Sequence, residues 1–197
     1  MTAQVGDKFR YKKKEYGIVA ISNPIRFKPQ DYGITPQACC TACWNGYWCE
    51  YEISDEGIML DNLYVNSKDD YYPEINGILP LSEDDSKQKF RYMSHHLYKG
   101  VNIKIPYTGK IVVGKDFLRE YYIHMGYQRA WAYKQLKEFI FEEGKLIEVV
   151  DHSKVAKELR KQISEDPDFW NKLHDNIPIF VGSSFDLSFA TKAWWIK

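Results

Sequence analysis

The chain has 197 residues, 44% of them hydrophobic and 16% aromatic, with 27 Lys+Arg set against 27 Asp+Glu. That length and apolar content support one sizeable core or two small lobes without disulfide or metal staples, and the balanced charge provides no field to concentrate nucleic acid. The opening residues, MTAQVGDKFRYKKKEYG, are polar, and no stretch reaches the roughly 18 apolar residues of a membrane span, so the expectation is a cytoplasmic protein without a membrane partner.

From the N-terminus, residues 9–11 and 16–21 flank the lysine-rich turn KKKE and read as a first strand pair, the second run (YGIVAI) being β-branched. KPQDYG, 28–33, reads as one helical turn with Pro29 near its start and Gly33 at its end. Aromatic and apolar residues recur over 44–53, then SDEG gives a reversal before IMLDNLYV, with Gly57 supplying positive φ to a hairpin. Residues 66–89 are polar, acidic and broken by two prolines and a glycine, which reads as a long connection or flap.

Order resumes over 90–105, and PYTGKIVVG supplies a turn and a strand. Asp116 then caps a helix expected over 117–125, with Phe117, Leu118, Tyr121, Tyr122 and Met125 on one face and Gly126 as its stop. Residues 131–141 and 145–150 form another hairpin across EEG. A helix follows over 153–164 with Val155, Ala156, Leu159 and Ile163 on one side, and Asp166-Pro167 signals a further helix start. The chain closes on two strand-like runs, IPIFVG and FDLSFATKAWWI.

These elements predict an α+β fold of antiparallel hairpins in one or two sheets with a few packed helices. The expected division is a β-rich lobe over 1–65, a linker or flap over 66–89 and an α+β lobe over 90–197, or one compact domain joining the two lobes. A shift of 87 positions lays Trp44 on Trp131, Ile53 on Ile140 and Glu56-Gly57 on Glu143-Gly144, and with a gap YGIVAIS lies on TGKIVVG. The pattern is a possible duplication of a β-α-β-β lobe, with a crevice between copies as the ligand site.

All four cysteines fall in PQACCTACWNGYWCEYEI, 36–53. Cys40 and Cys43 have the C-x2-C spacing of a zinc site and Cys49 is near enough to join, but a second chelating pair is missing and the aligned copy has Ala130 and Leu136 instead. Buried thiols packed between aromatics are the preferred reading, with no cofactor or metal expected. His95 and His96, adjacent on a strand, point to opposite faces, and His152 in VVDHS belongs to the cap of the following helix.

The stretch 121–133, YYIHMGYQRAWAY, gathers Tyr122, His124, Gln128, Arg129 and Trp131, with Arg26, Tyr32 and Trp44 as first-copy counterparts. A cation, an amide and aromatic faces suit a ring-bearing anionic ligand such as a nucleotide. The functional expectation is a non-enzymatic binding protein of immunity or anti-defence type, holding a protein partner or a small anionic ligand on this aromatic-rich surface. The alternative is a nucleotide-processing enzyme with His124 as acid or base and Arg129 as the anion clamp.

Overall fold

The computed structural model describes residues 6–82, 96–122, 128–166 and 168. They form β1 (Lys8–Tyr11), β2 (Lys14–Ile21), β3 (Tyr47–Ser54), β4 (Gly57–Val65), β5 (Leu81–Ser82), β6 (His96–Ile105), β7 (Gly109–Phe117), β8 (Tyr133–Glu142), β9 (Lys145–Asp151) and the helix α1 (Ser153–Glu165). The nine strands make one mixed sheet in the order β5-β6-β4-β3-β1-β2-β7-β8-β9. It is mixed because β1 runs parallel to β3 (Phe9 opposite Tyr51), whereas β3–β4, β4–β6 and β7–β8 pair antiparallel. Among the described residues the fold is therefore predominantly β with one α-helix, and none of those residues forms a helix long and apolar enough to cross a membrane.

Chain contacts divide these elements into two compact units. The first comprises the described residues of Met1–Glu15, Ile25–Tyr107 and Glu143–Leu146. Its core follows strand alternation: Cys49, Tyr51 and Ile53 from β3, Ile58, Leu60, Leu63 and Val65 from β4, and Leu97, Tyr98, Val101 and Ile105 from β6 are buried, with Phe9 stacked on Tyr51 at 5.2 Å. A register shift between Leu60 and Asn62 buries a polar side chain, which is satisfied because Asn62 donates to Glu50 at 2.7 Å and accepts from the Gly100 amide at 3.1 Å. Residues 66–80 lie along β6: the Tyr98 hydroxyl donates to the Pro73 carbonyl at 2.8 Å, Asn76 donates to the Val101 carbonyl at 2.6 Å, and Ile75 is buried between them.

The β1–β2 loop places two lysines where the chain turns back, and both have positive φ, 48° at Lys12 and 64° at Lys13. That is the geometry of a tight hairpin turn favouring Asn-Gly, and an ordinary side chain pays about 1–2 kcal/mol in the left-handed region. The double substitution Lys12→Asn, Lys13→Gly is expected to stabilise the protein by about 1 kcal/mol, read as a higher denaturation midpoint at unchanged slope; a lower midpoint would refute this account of the turn.

The second unit comprises the described residues of Tyr16–Pro24, Thr108–Glu142 and Ile147–Lys197. Here α1 lays Ala156, Leu159 and Ile163 onto Val19, Val112, Trp131, Ala132 and Leu136. Val155, expected on that face, is exposed instead, because the buried stripe is narrower than the apolar one in the sequence. Arg160 fastens the helix by donating to the carbonyls of Trp131 and Tyr133 at 2.6 and 2.8 Å. His152 stands at the N-cap of α1 as expected, its carbonyl accepting the Ala156 amide at 2.9 Å, but its side chain makes no cap hydrogen bond: Nε2 lies 2.9 Å from Glu138 on β8, and Asp151 accepts the Ser153 amide.

The helix expected to start at Asp116 is not formed. β7 continues through Phe117, Asp116 has φ 59° and accepts a hydrogen bond from Gln135, and a short 3-10 turn, Arg119–Tyr121, follows. Pairing with β8, which brings Phe117 against Tyr133 with ring centroids 5.3 Å apart, outweighs the helical spacing of the apolar residues. Residues 123–127, and the helix start expected at Asp166-Pro167 from Pro167 onward, lie outside the described residues except for Asp168. Of the duplication, the two aligned hairpins β3–β4 and β8–β9 are both present. The strands beside them differ: β3 has parallel β1 as its neighbour, β8 has antiparallel β7, and YGIVAIS and TGKIVVG pair with each other.

Candidate functional site

The residues singled out from the sequence divide between the units. Arg26, Tyr32, Trp44 and the cysteines belong to the first, and Tyr122, Gln128, Arg129 and Trp131 to the second, while His124 and His95 lie outside the described residues. In the second unit Trp131 is a core residue beneath α1, and Tyr121 packs edge-on against it at 5.1 Å. Arg129 is 3% exposed, with its guanidinium 5.5 Å from the Trp131 ring centroid. Burial lowers its pKa to about 10, which still leaves it cationic at neutral pH. Tyr122 is exposed and Gln128 half-buried.

The first unit brings more of the chemically distinctive residues together. β3 begins, β4 ends and β6 begins at the same end of the sheet, since Tyr47 pairs with Val65 and Val65 with His96. The connections at this end interlock. Gln37 donates to the Asn66 carbonyl at 2.9 Å, Asn66 donates to the Gly46 carbonyl at 2.9 Å, and Lys68 donates to the Thr35 carbonyl at 2.8 Å. Loop 37–46 is thus closed at its base by Asn66. Gly46 is required there: its φ is 73° and a Cβ would lie 2.5 Å from the Gln37 backbone.

Inside the loop, two successive turns are marked by Cys43 donating to the Cys40 carbonyl at 3.1 Å and Gly46 donating to the Cys43 carbonyl at 3.2 Å. Cys39 is exposed, Cys40 half-buried and Cys43 buried, and none is in a disulfide. Cys40, Cys43 and the Asn66 side chain are near enough to act electrostatically on the Cys39 thiol. Desolvation, then the neighbouring thiols, push the Cys39 pKa up to about 11, and desolvation raises Cys43 as well. Cys49 stands apart on β3, fully buried, its thiol raised well above the ordinary value by desolvation and then by Asp7. The ligand set Cys40, Cys43, Cys49 is therefore not brought together, and among the described residues no group of three or more His, Cys, Asp or Glu is arranged to hold a metal ion.

Around this loop the aromatics are layered. Phe27 packs against Tyr32 at 5.7 Å and edge-on to Tyr47 at 6.5 Å, beside the exposed Arg26. Tyr72 stacks on His96 at 3.5 Å, and its hydroxyl accepts a hydrogen bond from the Ser67 amide at 3.1 Å. Outward from this layer stand Trp44, 68% exposed, Tyr71, 58%, and Leu79, 67%, with Leu81 on the edge strand β5.

One residue that the sequence reading passed over belongs here. Asp7, just before β1, accepts the Cys49 amide at 2.8 Å, and burial raises its carboxyl to about 6 despite that hydrogen bond. Cys43, Tyr47, Cys49 and Tyr51 are the titratable groups that sense its charge. Nothing local in VGDKF distinguishes it from a solvated turn residue; the parallel β1–β3 pairing is what places it.

Comparison of the chain with family models, curated proteins and solved structures gives no match.

Proposed function

We propose that the chain is a non-enzymatic binding protein that holds a protein partner on the aromatic end of its first unit. The observation that supports this reading is the exposure of Trp44, Tyr71 and Leu79 on interlocked loops at one end of the sheet, beside buried Phe27 and half-buried Tyr47, Tyr72 and His96. Large apolar side chains held out by a well-bonded backbone lose little further freedom on binding, and Trp and Tyr anchors supply much of the energy of protein interfaces. A small anionic ligand has a weaker claim, because Arg129 is buried on Trp131 in the second unit, whereas Arg26 stands exposed beside the loop.

The test compares wild type with Trp44→Ala/Leu79→Ala. Both side chains are solvent-facing, so stability should change by no more than about 0.5 kcal/mol per site, while affinity capture from a lysate of the producing cells should lose a protein retained by wild type. Hot-spot truncation is expected to weaken binding by about 2 kcal/mol or more, some thirtyfold. An unchanged set of captured proteins would overturn the proposal.

A further inference from the structure

We propose that Asn45 is a modification site: its side chain cyclises onto the Gly46 backbone nitrogen and, on hydrolysis, leaves aspartate or isoaspartate in the loop that carries Trp44. The assignment is independent of the partner proposed above, since its readout is covalent.

The sequence contains two Asn-Gly pairs, Asn45-Gly46 and Asn76-Gly77. In each the glycine leaves the following nitrogen unshielded by a side chain, so the sequence makes the two equal. The fold separates them. Asn76 lies in a tight turn closed by the Ile75 and Ile78 amides, which donate to each other's carbonyls at 3.0 and 2.9 Å, and its side-chain amide donates to the Val101 carbonyl at 2.6 Å. Asn45 is exposed, and its side chain makes no hydrogen bond among the described residues. The bond that restrains its neighbour runs from the Gly46 amide to the Cys43 carbonyl and, at 3.2 Å, is at the long end of the normal range. Freeing Asn45 to react loosens that one bond, whereas freeing Asn76 forfeits the three around its turn, which should separate the two rates by roughly tenfold or more. The loop also cannot shed the glycine that makes Asn45 reactive, because a Cβ at Gly46 would lie 2.5 Å from the Gln37 backbone.

The reaction balances with water as its only co-reactant. The Gly46 nitrogen loses its proton to solvent base and attacks the side-chain carbonyl carbon of Asn45. A new C–N bond forms, the bond to the side-chain nitrogen breaks, and that nitrogen leaves as ammonia after taking up a proton. Water then opens the cyclic imide: attack at the side-chain carbonyl gives aspartate, and attack at the main-chain carbonyl gives isoaspartate, with the chain now running through the former side chain. No electrons change hands. Either product places a carboxylate next to Trp44, and isoaspartate also lengthens the backbone just before Gly46, whose carbonyl accepts the Asn66 amide that closes the loop.

The experiment incubates the folded full chain in mildly alkaline buffer beside a sample held in denaturant, and follows both asparagines by peptide mass spectrometry with electron-transfer fragmentation, which tells aspartate from isoaspartate. In the folded chain the replacement of NH by O should appear at Asn45 roughly tenfold or more faster than at Asn76, and denaturant should bring the two rates together. Asn45→Gln, a solvent-facing change, should fold normally and leave position 45 unmodified over the same period. An unmodified Asn45 in the folded chain, an Asn76 that reacts as fast, a rate difference that survives in denaturant, or modification of position 45 persisting in Asn45→Gln would each overturn the assignment.

Discussion

Gly57→Ala is expected to cost roughly 3–4 kcal/mol, the sum of forcing a side chain into positive φ and overpacking a closed site. Gly57 opens β4 with φ 114°, and an ideal Cβ there would lie 2.0 Å from the Gly144 carbonyl oxygen. The obstacle is backbone, and that backbone is itself anchored, since Gly144 donates to the Tyr107 carbonyl at 2.9 Å within the same unit. Domains of this kind have about 5–15 kcal/mol in all, so the variant should unfold at a far lower denaturant concentration. Gly77→Ala is the control: its φ is 80° but nothing lies within 4 Å, so it should lose only about 1–2 kcal/mol. Equal losses in the two variants would show that the contact between the turns at 57 and 144 contributes nothing.

The second large effect runs in the opposite direction. Asp7→Asn should stabilise the protein at neutral pH by roughly 3 kcal/mol at most, from a carboxyl raised about two units above its unfolded value. The folded pKa is about 6 and burial is its main cause. Below about pH 4 both folded and unfolded chains carry the proton. Between there and about pH 6 the unfolded chain has released it while the folded chain retains it, so stability falls as pH rises through that window. Above it, the folded chain bears a buried carboxylate at the full penalty. Asn keeps an oxygen to accept the Cys49 amide and removes the titration. Cys43, Tyr47, Cys49 and Tyr51, which face Asp7, all have raised pKa values and remain uncharged across the window. Asp151, where desolvation is outweighed by the hydrogen bonds from Lys137 and Ser153 together with the Lys137 charge so that its pKa falls to about 2, acts with the opposite sign and at lower pH, losing its contribution as pH falls. Denaturation of wild type and Asp7→Asn across this range should give curves that meet near pH 4 and diverge upward; parallel curves would contradict a buried, raised Asp7.

Much of the fold was legible because local chemistry dictated it. The SDEG and EEG reversals, the Pro29-to-Gly33 turn and the amphipathic run from Ser153 each carry their own signal, and each is present. The stretch after Asp116 misled because apolar residues at helical spacing also suit a strand end that has a partner, and Gln135 and Tyr133 supply that partner. Nothing local could reveal the parallel β1–β3 pairing, the two-residue strand β5, or residues 66–80 laid along β6, since all three are fixed by contacts distant in sequence.

The candidate site was legible only in part for the same reason. Clustered cysteines and exposed aromatics were visible as composition, yet the path of the cysteine loop depends on Asn66 closing it at Gln37 and Gly46. Trp44 and Trp131, paired by the shift of 87 positions, have opposite fates: one is held out on a loop, the other is covered by α1. Asp7 gained its significance entirely from burial beside Cys49.

The most direct test of the binding surface is amine cross-linking of the protein to whatever partner wild type retains and Trp44→Ala/Leu79→Ala does not, followed by mass spectrometric mapping. Lys28 and Lys68 are the exposed amines beside the aromatic loops, while Lys154, Lys157 and Lys161 lie on α1 of the second unit. The account predicts cross-links concentrated at Lys28 and Lys68; cross-links confined to the α1 lysines would contradict it.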